Sequence, residues 1–254
     1  MNYQLQMIGT GSAFSRNYYN NNALIRTPNF KLLIDCGATA GRALHQLGLC
    51  VSDIDGIFIT HIHADHVGGL EEFAFQSYYT FKRRIKLFIP KTLADTLWNH
   101  TLKGGLEVEA EQLTELGSYF DVIPVDVGTP ATICEGLTIE PIRTQHITGK
   151  ESYSLIINQH LFYSADTIFL PEFLIEEIVN NRKCTTILHE CQLEGEGHVH
   201  TTLEQLISLP ASLQSSIYLM HYSDEMPQYV GRTGRMTFIE QQHIYTFSDG
   251  KLVK

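Results

Sequence analysis

Between Ile59 and Leu70 the chain reads ITHIHADHVGGL, which sets three histidines and one aspartate within six positions, His61 to His66, directly before two glycines. Imidazole nitrogen and carboxylate oxygen are donors that zinc takes from proteins, three or four to each ion. In an extended segment residues two apart point the same way, so His61 and His63 can present two imidazoles to one ion. After the chain turns, Asp65 and His66 can face a second. The stretch offers two half-built sites, and each needs partners from elsewhere. Candidates follow later: His146 in RTQHITG, Asp166 in YSADT and His221 in LMHYSDE. Taken singly each has an ordinary reading, a hydrogen-bonded histidine at a strand end or, for Asp166, a helix N-cap before TIFLPEFL. The crowded HxHxDH stretch is what gives them a shared one.

Such side chains must be carried by elements whose ends meet. YQLQMIG reads as a strand, NALIRT and FKLLID as a hairpin around Pro28-Asn29, and ATAGRALHQLGL has helical spacing. GIFIT is a short buried strand ending at Thr60, after which HVGGLEEFAFQSYYTF begins a helix. IKLFIP followed by TLADTLWNH repeats that alternation, and LTIEPIRTQHI, SYSLIIN, HLFYSAD, CTTILHECQ and SSIYLMHYSDE are further strand candidates. Each polar cluster falls at the end of an apolar run, where open α/β sheets place their ligands. No low-complexity linker, repeat or heptad pattern interrupts the chain.

With 254 residues, 43% of them hydrophobic, the chain can bury the core of one α/β domain spanning residues 1–254. It opens without a basic and apolar leader, and no apolar run approaches the roughly 20 residues that span a bilayer, so a cytoplasmic protein without a membrane partner is expected. Five cysteines, odd in number and without a CxxC pair, point to a reducing compartment and away from a thiolate zinc site. A net charge of -10 argues against long nucleic acids as partners, since polyanion binding relies on many Lys and Arg contacts. The basic cluster FKRRIK, residues 81 to 86, suits either a small anion or a solvated loop before a strand. Gly9, Gly11 and Ser12 suit either backbone amides aimed at an anion or a tight turn.

The sequence resembles the metallo-β-lactamase fold hydrolases along nearly its whole length. Asp35 in LLIDCG matches the first motif of that family, His61, His63, Asp65 and His66 the second, His146 the third, Asp166 the fourth and His221 the fifth. The resemblance implies an αββα sandwich with two zinc ions at one edge. His61, His63 and His146 would hold one ion, Asp65, His66 and His221 the other, with Asp166 bridging and Asp35 orienting ligands from behind. The same donors suit manganese. The opening GTGSAFSRNYYNNNAL and the later HEC and HTT resemble the ribonuclease Z branch, where the equivalents of Glu190 and His200 pair beside the metals and the histidine protonates the leaving group. His198 is an alternative in the same triplet; the two threonines after His200 favour His200. Enzymes of that branch that process tRNA carry a long basic arm, and no counterpart stands between His146 and Asp166 or between Asp166 and His189. Within the branch, KESYSL, YSADTIF, HECQL and LMHYSDE are similar to blocks of small phage and bacterial anti-Pycsar phosphodiesterases, which open cyclic mononucleotides and so shut down cyclic-nucleotide defence signalling.

That likeness implies a dinuclear zinc phosphodiesterase converting 3′,5′-cyclic mononucleotides to linear nucleoside monophosphates, as a homodimer in a bacterium or a phage-infected bacterial host. Zinc lowers the pKa of water from roughly 15.7 to about 7. Asp65 would orient or deprotonate that water, and His200, held by Glu190, would protonate the departing 3′ oxygen. The aromatic segments SYYTF and SRNYYNNN suit a base-stacking platform or core packing. Two other functions fit less of the pattern: a tRNA 3′ endonuclease, and a nucleotide-binding protein without catalysis, which needs no proton donor.

Overall fold

Residue parity along each strand decides which apolar layer a side chain enters. The computed structural model describes residues 2–248 and 251–253. Strands β1 (Asn2–Gly9), β2 (Asn22–Thr27), β3 (Phe30–Ile34), β4 (Gly56–Phe58), β5 (Ile85–Pro90) and β6 (Phe120–Val125) build the first sheet with the late strands β14 (Ile244–Ser248) and β15 (Lys251–Val253), in the order β15-β14-β1-β2-β3-β4-β5-β6. The second sheet has the order β13-β12-β11-β10-β9-β8-β7, from β7 (Ala131–Cys134), β8 (Leu137–Thr144), β9 (Ser152–Ile157), β10 (Leu161–Tyr163), β11 (Thr186–Glu190), β12 (Ile217–Met220) and β13 (Thr237–Phe238). Leu5, Ile25, Leu32 and Phe58 of the first sheet meet Ile139, Leu155, Tyr163 and Met220 of the second in one buried cluster. The alternate residues Leu24, Leu33, Ile57 and Leu87 turn outward against helices α1 (Ala40–Gln46), α3 (Leu70–Phe75) and α4 (Lys91–Leu97). Ile156, Phe162, Ile187 and Leu219 do the same on the other side, against Phe173–Asn181 and Leu203–Ile207. Both faces of each sheet are covered, which is why central strands such as GIF of β4 and LFY of β10 are apolar throughout rather than alternating with polar residues. The result is the αββα sandwich expected from the sequence.

Strands β3, β4, β5 and β6 run parallel, as do β10, β11 and β12. Their C-terminal ends therefore lie together along one edge of the sandwich. The Tyr153 amide donates to the Thr60 carbonyl at 3.2 Å, joining the two sheets there. The strand read as ending at Thr60 stops at Phe58 instead, because the Thr60 amide is taken by the Asp35 carboxylate rather than by the sheet (2.9 Å to Oδ1).

The helix read from HVGGLEEFAFQSYYTF is broken at Gly68-Gly69, with α2 (Ala64–Val67) before the break and α3, continued by the helical turn Gln76–Thr80, after it. Close approach explains the glycines. The Gly69 amide donates to Cys36 O at 2.8 Å, and a Cβ at residue 69 would stand 2.6 Å from Gly37 O. A Cβ on Gly37 would collide in turn with the Asp65 carbonyl. The loop after β3 and the turn bearing Asp65 and His66 are thereby pressed together.

Candidate metal centre

Asp35 follows β3, the His61–His66 stretch follows β4, His146 follows β8, Asp166 follows β10, Glu190 ends β11 and His221 follows β12. Three of these junctions have a non-glycine residue at positive φ: Asp35 at 60°, Ala165 at 48° and His221 at 56°. Such backbone is sparsely populated because of steric crowding, and it persists where surrounding structure fixes it. Here it swings each side chain off its strand and toward one point.

Two donor groups result, each with its ligand atoms within 4.8 Å of one another: His61, His63, His146 and Asp166, and Asp65, His66, Asp166 and His221. Asp166 belongs to both. Its Oδ2 lies 3.6 Å from His61 Nε2, 3.8 Å from His146 Nε2 and 3.4 Å from His221 Nε2, while Oδ1 lies 3.4 Å from His66 Nε2. Asp65 Oδ2 stands 3.2 Å from His66 Nε2 and 3.3 Å from His221 Nε2. Asp166 is not a helix cap: the next helix begins at Phe173.

Behind the donors, hydrogen bonds fix which nitrogen of each ring carries the proton. His66 Nδ1–H donates to Asp35 Oδ2 at 2.8 Å, which leaves Nε2 as the nitrogen that faces the cluster. The Thr60 hydroxyl donates to the same oxygen at 2.7 Å and so accepts from His61 Nδ1–H at 3.1 Å. His146 Nδ1–H donates to Val199 O at 2.7 Å. Thr60 was not singled out in the sequence, where a strand-end threonine carries no signal of its own. Among the described residues, three buried atoms facing inward, His61 Nε2, His66 Nε2 and Asp166 Oδ1, have no hydrogen-bond partner. Burying unpaired polar atoms is costly. Divalent cations are what this nitrogen and carboxylate donor set fits, and the orphaned lone pairs are where they would bind.

The two groups differ electrostatically. Burial pushes the His61, His63 and His146 imidazoles toward the neutral form, with His146 lowered to about 4. Burial acts in the same sense on His66 and His221 but is outweighed by carboxylates, Asp166 foremost. His66 is raised well above its ordinary range and His221 to about 9. Asp65, which burial alone would raise, is held well below the carboxylate range by His66 and His221.

Glu190 is fully buried beside the cluster, with Oε2 3.7 Å from His221 Nδ1. Its Oε2 accepts from His200 Nδ1–H at 2.8 Å, and its Oε1 accepts from the Thr167 amide at 2.7 Å. The His200 ring stands 4.8 Å from that of His146 and 5.1 Å from that of His221. His198 points elsewhere, 81% exposed and paired with Glu196. Of the two histidines in the triplet, the structure brings only His200 to the cluster.

Other sequence candidates have structural duties. The Gly11 amide donates to Tyr19 O and the Ser12 amide to Tyr222 O, so that loop offers a tight turn rather than an anion nest. In SRNYYNNN, Tyr18 packs edge-on against Tyr222 and the Tyr19 hydroxyl donates to Gln46 Oε1 at 2.8 Å, while Asn22 Oδ1 accepts from the Gly37 amide at 2.9 Å and its Nδ2 donates to Asp65 O at 3.2 Å. Tyr78 and Tyr79 of SYYTF pack on Tyr119 and Phe75. Arg83 of the basic cluster donates to Ser52 O at 2.9 Å, at the start of β5 and thus at the edge opposite the donors. A cavity of about 360 Å³ opens beside His61, His63 and His146, and no Phe, Tyr or Trp lines it. A larger hollow of about 520 Å³ near Arg42 and Gln76 shares no residue with the cluster. No helix among the described residues is long and apolar enough to cross a membrane.

A family profile described as anti-Pycsar protein Apyc1 matches residues 3–245. A protein of that description from Paenibacillus xerothermodurans is 53% identical over 249 residues, covering 98% of this chain and 99% of its own length. Another, from Bacillus phage vB_BveM-Goe7, is 40% identical over 252 residues, covering 94% and 96%. Among solved structures, the metallo-β-lactamase fold protein YhfI from Bacillus subtilis matches with a TM-score of 0.74 at 16% identity, covering 97% of this chain and 100% of that one. That likeness establishes the fold.

Proposed function

This chain belongs to the anti-Pycsar protein Apyc1 family, and from that premise we propose that it is a dinuclear zinc phosphodiesterase that hydrolyses 3′,5′-cyclic mononucleotides to linear nucleoside monophosphates. The observation that carries the proposal is the pair of donor groups sharing Asp166, with the Glu190-braced His200 beside both. Two divalent ions held there would supply Lewis acidity at the phosphoryl oxygens and a water acidified to near neutrality. In this reading His61, His63 and His146 would hold one ion and Asp65, His66 and His221 the other, with Asp166 available to both. Manganese suits the same donors.

The chain's own residues do the rest. Asp35 and Thr60 fix the rings of His66 and His61, which keeps the donor atoms aimed and sets ligand strength. Asp65 stays ionised, which suits it to hold and orient more than to accept a proton. His200 is the proton donor to the departing 3′ oxygen: burial opposes its charged form, but the Glu190 hydrogen bond and charge outweigh it and raise its pKa, keeping a proton available near neutrality. Glu190 is the residue that positions and charges it. Because the ligand carries one phosphate, activity is expected to depend only weakly on salt.

The test is direct. Purified protein is incubated with cyclic AMP, GMP, CMP and UMP, and separately with pre-tRNA, with and without a chelator. Chelator-sensitive conversion of the cyclic nucleotides is expected. Efficient 3′ cutting of pre-tRNA while all four survive would replace this reading with a ribonuclease one, and tight binding without turnover would replace it with a binding protein. The family likeness further implies a homodimer, which analytical ultracentrifugation reads directly.

A further inference from the structure

The cavity beside the three-histidine group is larger than a phosphodiester alone requires. About 360 Å³ places it among pockets that take small organic ligands. Its floor is the donor edge of His61, His63 and His146; α4 with the turn Trp98–Leu102 forms one wall, and the segment 146–152 forms the other. Leu93, buried, with Ile62 and Ile147, half-buried, gives the cavity an aliphatic surface, while Thr96, His100 and Lys150 are exposed.

The two walls are tied together. The Thr92 hydroxyl donates to Tyr153 Oη at 2.5 Å, and Tyr153 donates in turn to Glu151 Oε2 at 2.7 Å. Arg143 Nη2 occupies the other Glu151 oxygen at 2.9 Å. Glu151 lines the cavity, yet these partners offset its charge. Lys150, exposed on the cavity wall, has no carboxylate ion pair among the described residues. Lys150 thus offers a free ammonium to an anion in the cavity.

We infer that this cavity seats the nucleoside part of the substrate, the base between Ile62, Leu93 and Ile147 and the phosphate held at its inner end with help from Lys150. The inference rests on the phosphodiesterase reading and adds what that reading lacked, since the tyrosines of SYYTF and of SRNYYNNN are committed elsewhere. Aliphatic walls contact either face of any base without reading its edges. The Thr96 hydroxyl can donate or accept, so it does not discriminate among base edges either.

The experiment compares zinc-loaded wild type with Thr96→Trp, which fills the cavity from an exposed position, Ile147→Ser, which removes a wall, and Lys150→Ala. KM is measured for cyclic AMP, cyclic UMP and methyl p-nitrophenyl phosphate, an ester with neither base nor ribose, with metal content checked in each protein. Thr96→Trp and Ile147→Ser are expected to raise KM for both cyclic nucleotides about tenfold relative to the small ester, the scale of losing a snug apolar contact. Lys150→Ala is expected to raise KM for all three. If wild type turns over cyclic nucleotides and the first two variants leave the KM ratio within about twofold, the cavity is not the nucleoside seat. Wild type leaving every cyclic nucleotide intact overturns the phosphodiesterase reading itself, and this inference with it, before any variant is needed.

Discussion

The two donor groups share one aspartate but are built on opposite principles. Around His61, His63 and His146, burial outweighs the nearby carboxylates and the imidazoles are neutral, lone pairs ready. Around Asp65, His66 and His221, two carboxylates on the donor points and Asp35 behind outweigh burial, and the imidazoles hold protons when no ion is bound. One half is therefore prepared for a cation by geometry alone, while the other must exchange protons for it. The difference teaches that a symmetrical-looking pair of sites can load by different rules.

Asp166 is where the comparison is most easily broken. Asp166→Ala removes a donor from both groups, so elemental analysis should find both ions lost and turnover at background. His63→Ala, by contrast, should cost the three-histidine group its ion, leave the second group occupied, and abolish turnover as well. Retention of about two ions by Asp166→Ala would show that the groups do not share it.

His200 stands next to both groups and belongs to neither. His200→Ala should lower kcat by roughly 10² to 10⁴ with metal content unchanged, the usual range for losing a positioned acid. His198→Ala should leave kcat at the wild-type level, as expected of an exposed side chain. A smaller effect is expected behind the donors. Thr60→Val removes the hydroxyl that orients His61 and helps hold Asp35, and should weaken metal affinity by about 10- to 100-fold, read by competition with a chromogenic chelator. If affinity is unaffected, the ring of His61 is held by packing alone.

Most of the donor set was legible because it is local or lies at the end of an apolar run. His61, His63, Asp65 and His66 are neighbours in sequence, Asp166 and His221 each follow a short apolar run, and His146 closes the strand candidate LTIEPIRTQHI. Thr60, Asn22 and Gly37 were not legible as parts of the site. Their importance comes from contacts with Asp35, Asp65 and each other, which nothing in local pattern or propensity announces. The glycine loop failed for a related reason: Gly11 and Ser12 have amides to offer, but the partners Tyr19 and Tyr222 that consume them become apparent only when the sheets are assembled. The tyrosines of SYYTF had helical spacing, and packing against Tyr119 claimed them.

The smallest expected effect tests the electrostatic contrast itself. His221 has a folded pKa of about 9, raised above its ordinary 6.5. In the metal-free protein its interactions with Asp166 and Asp65 therefore contribute stability that is complete below about pH 6.5 and is lost as the pH climbs through about 9. Metal binding has the opposite sign, because an ion must displace that proton. Affinity at the carboxylate-rich group should rise with pH until about 9, by about tenfold per pH unit for each proton displaced. At the three-histidine group His146 has given up its proton near pH 4, so from about pH 6 upward little remains to displace and affinity there should be nearly flat. Zinc titrations of metal-free protein by calorimetry, at about pH 6 and about pH 8 in buffers of different ionisation enthalpy, separate the two slopes and count the protons released. One steep and one flat site are expected. Two equally flat sites would mean that the carboxylates around His66 and His221 do not hold protons there, and the contrast between the groups would reduce to geometry.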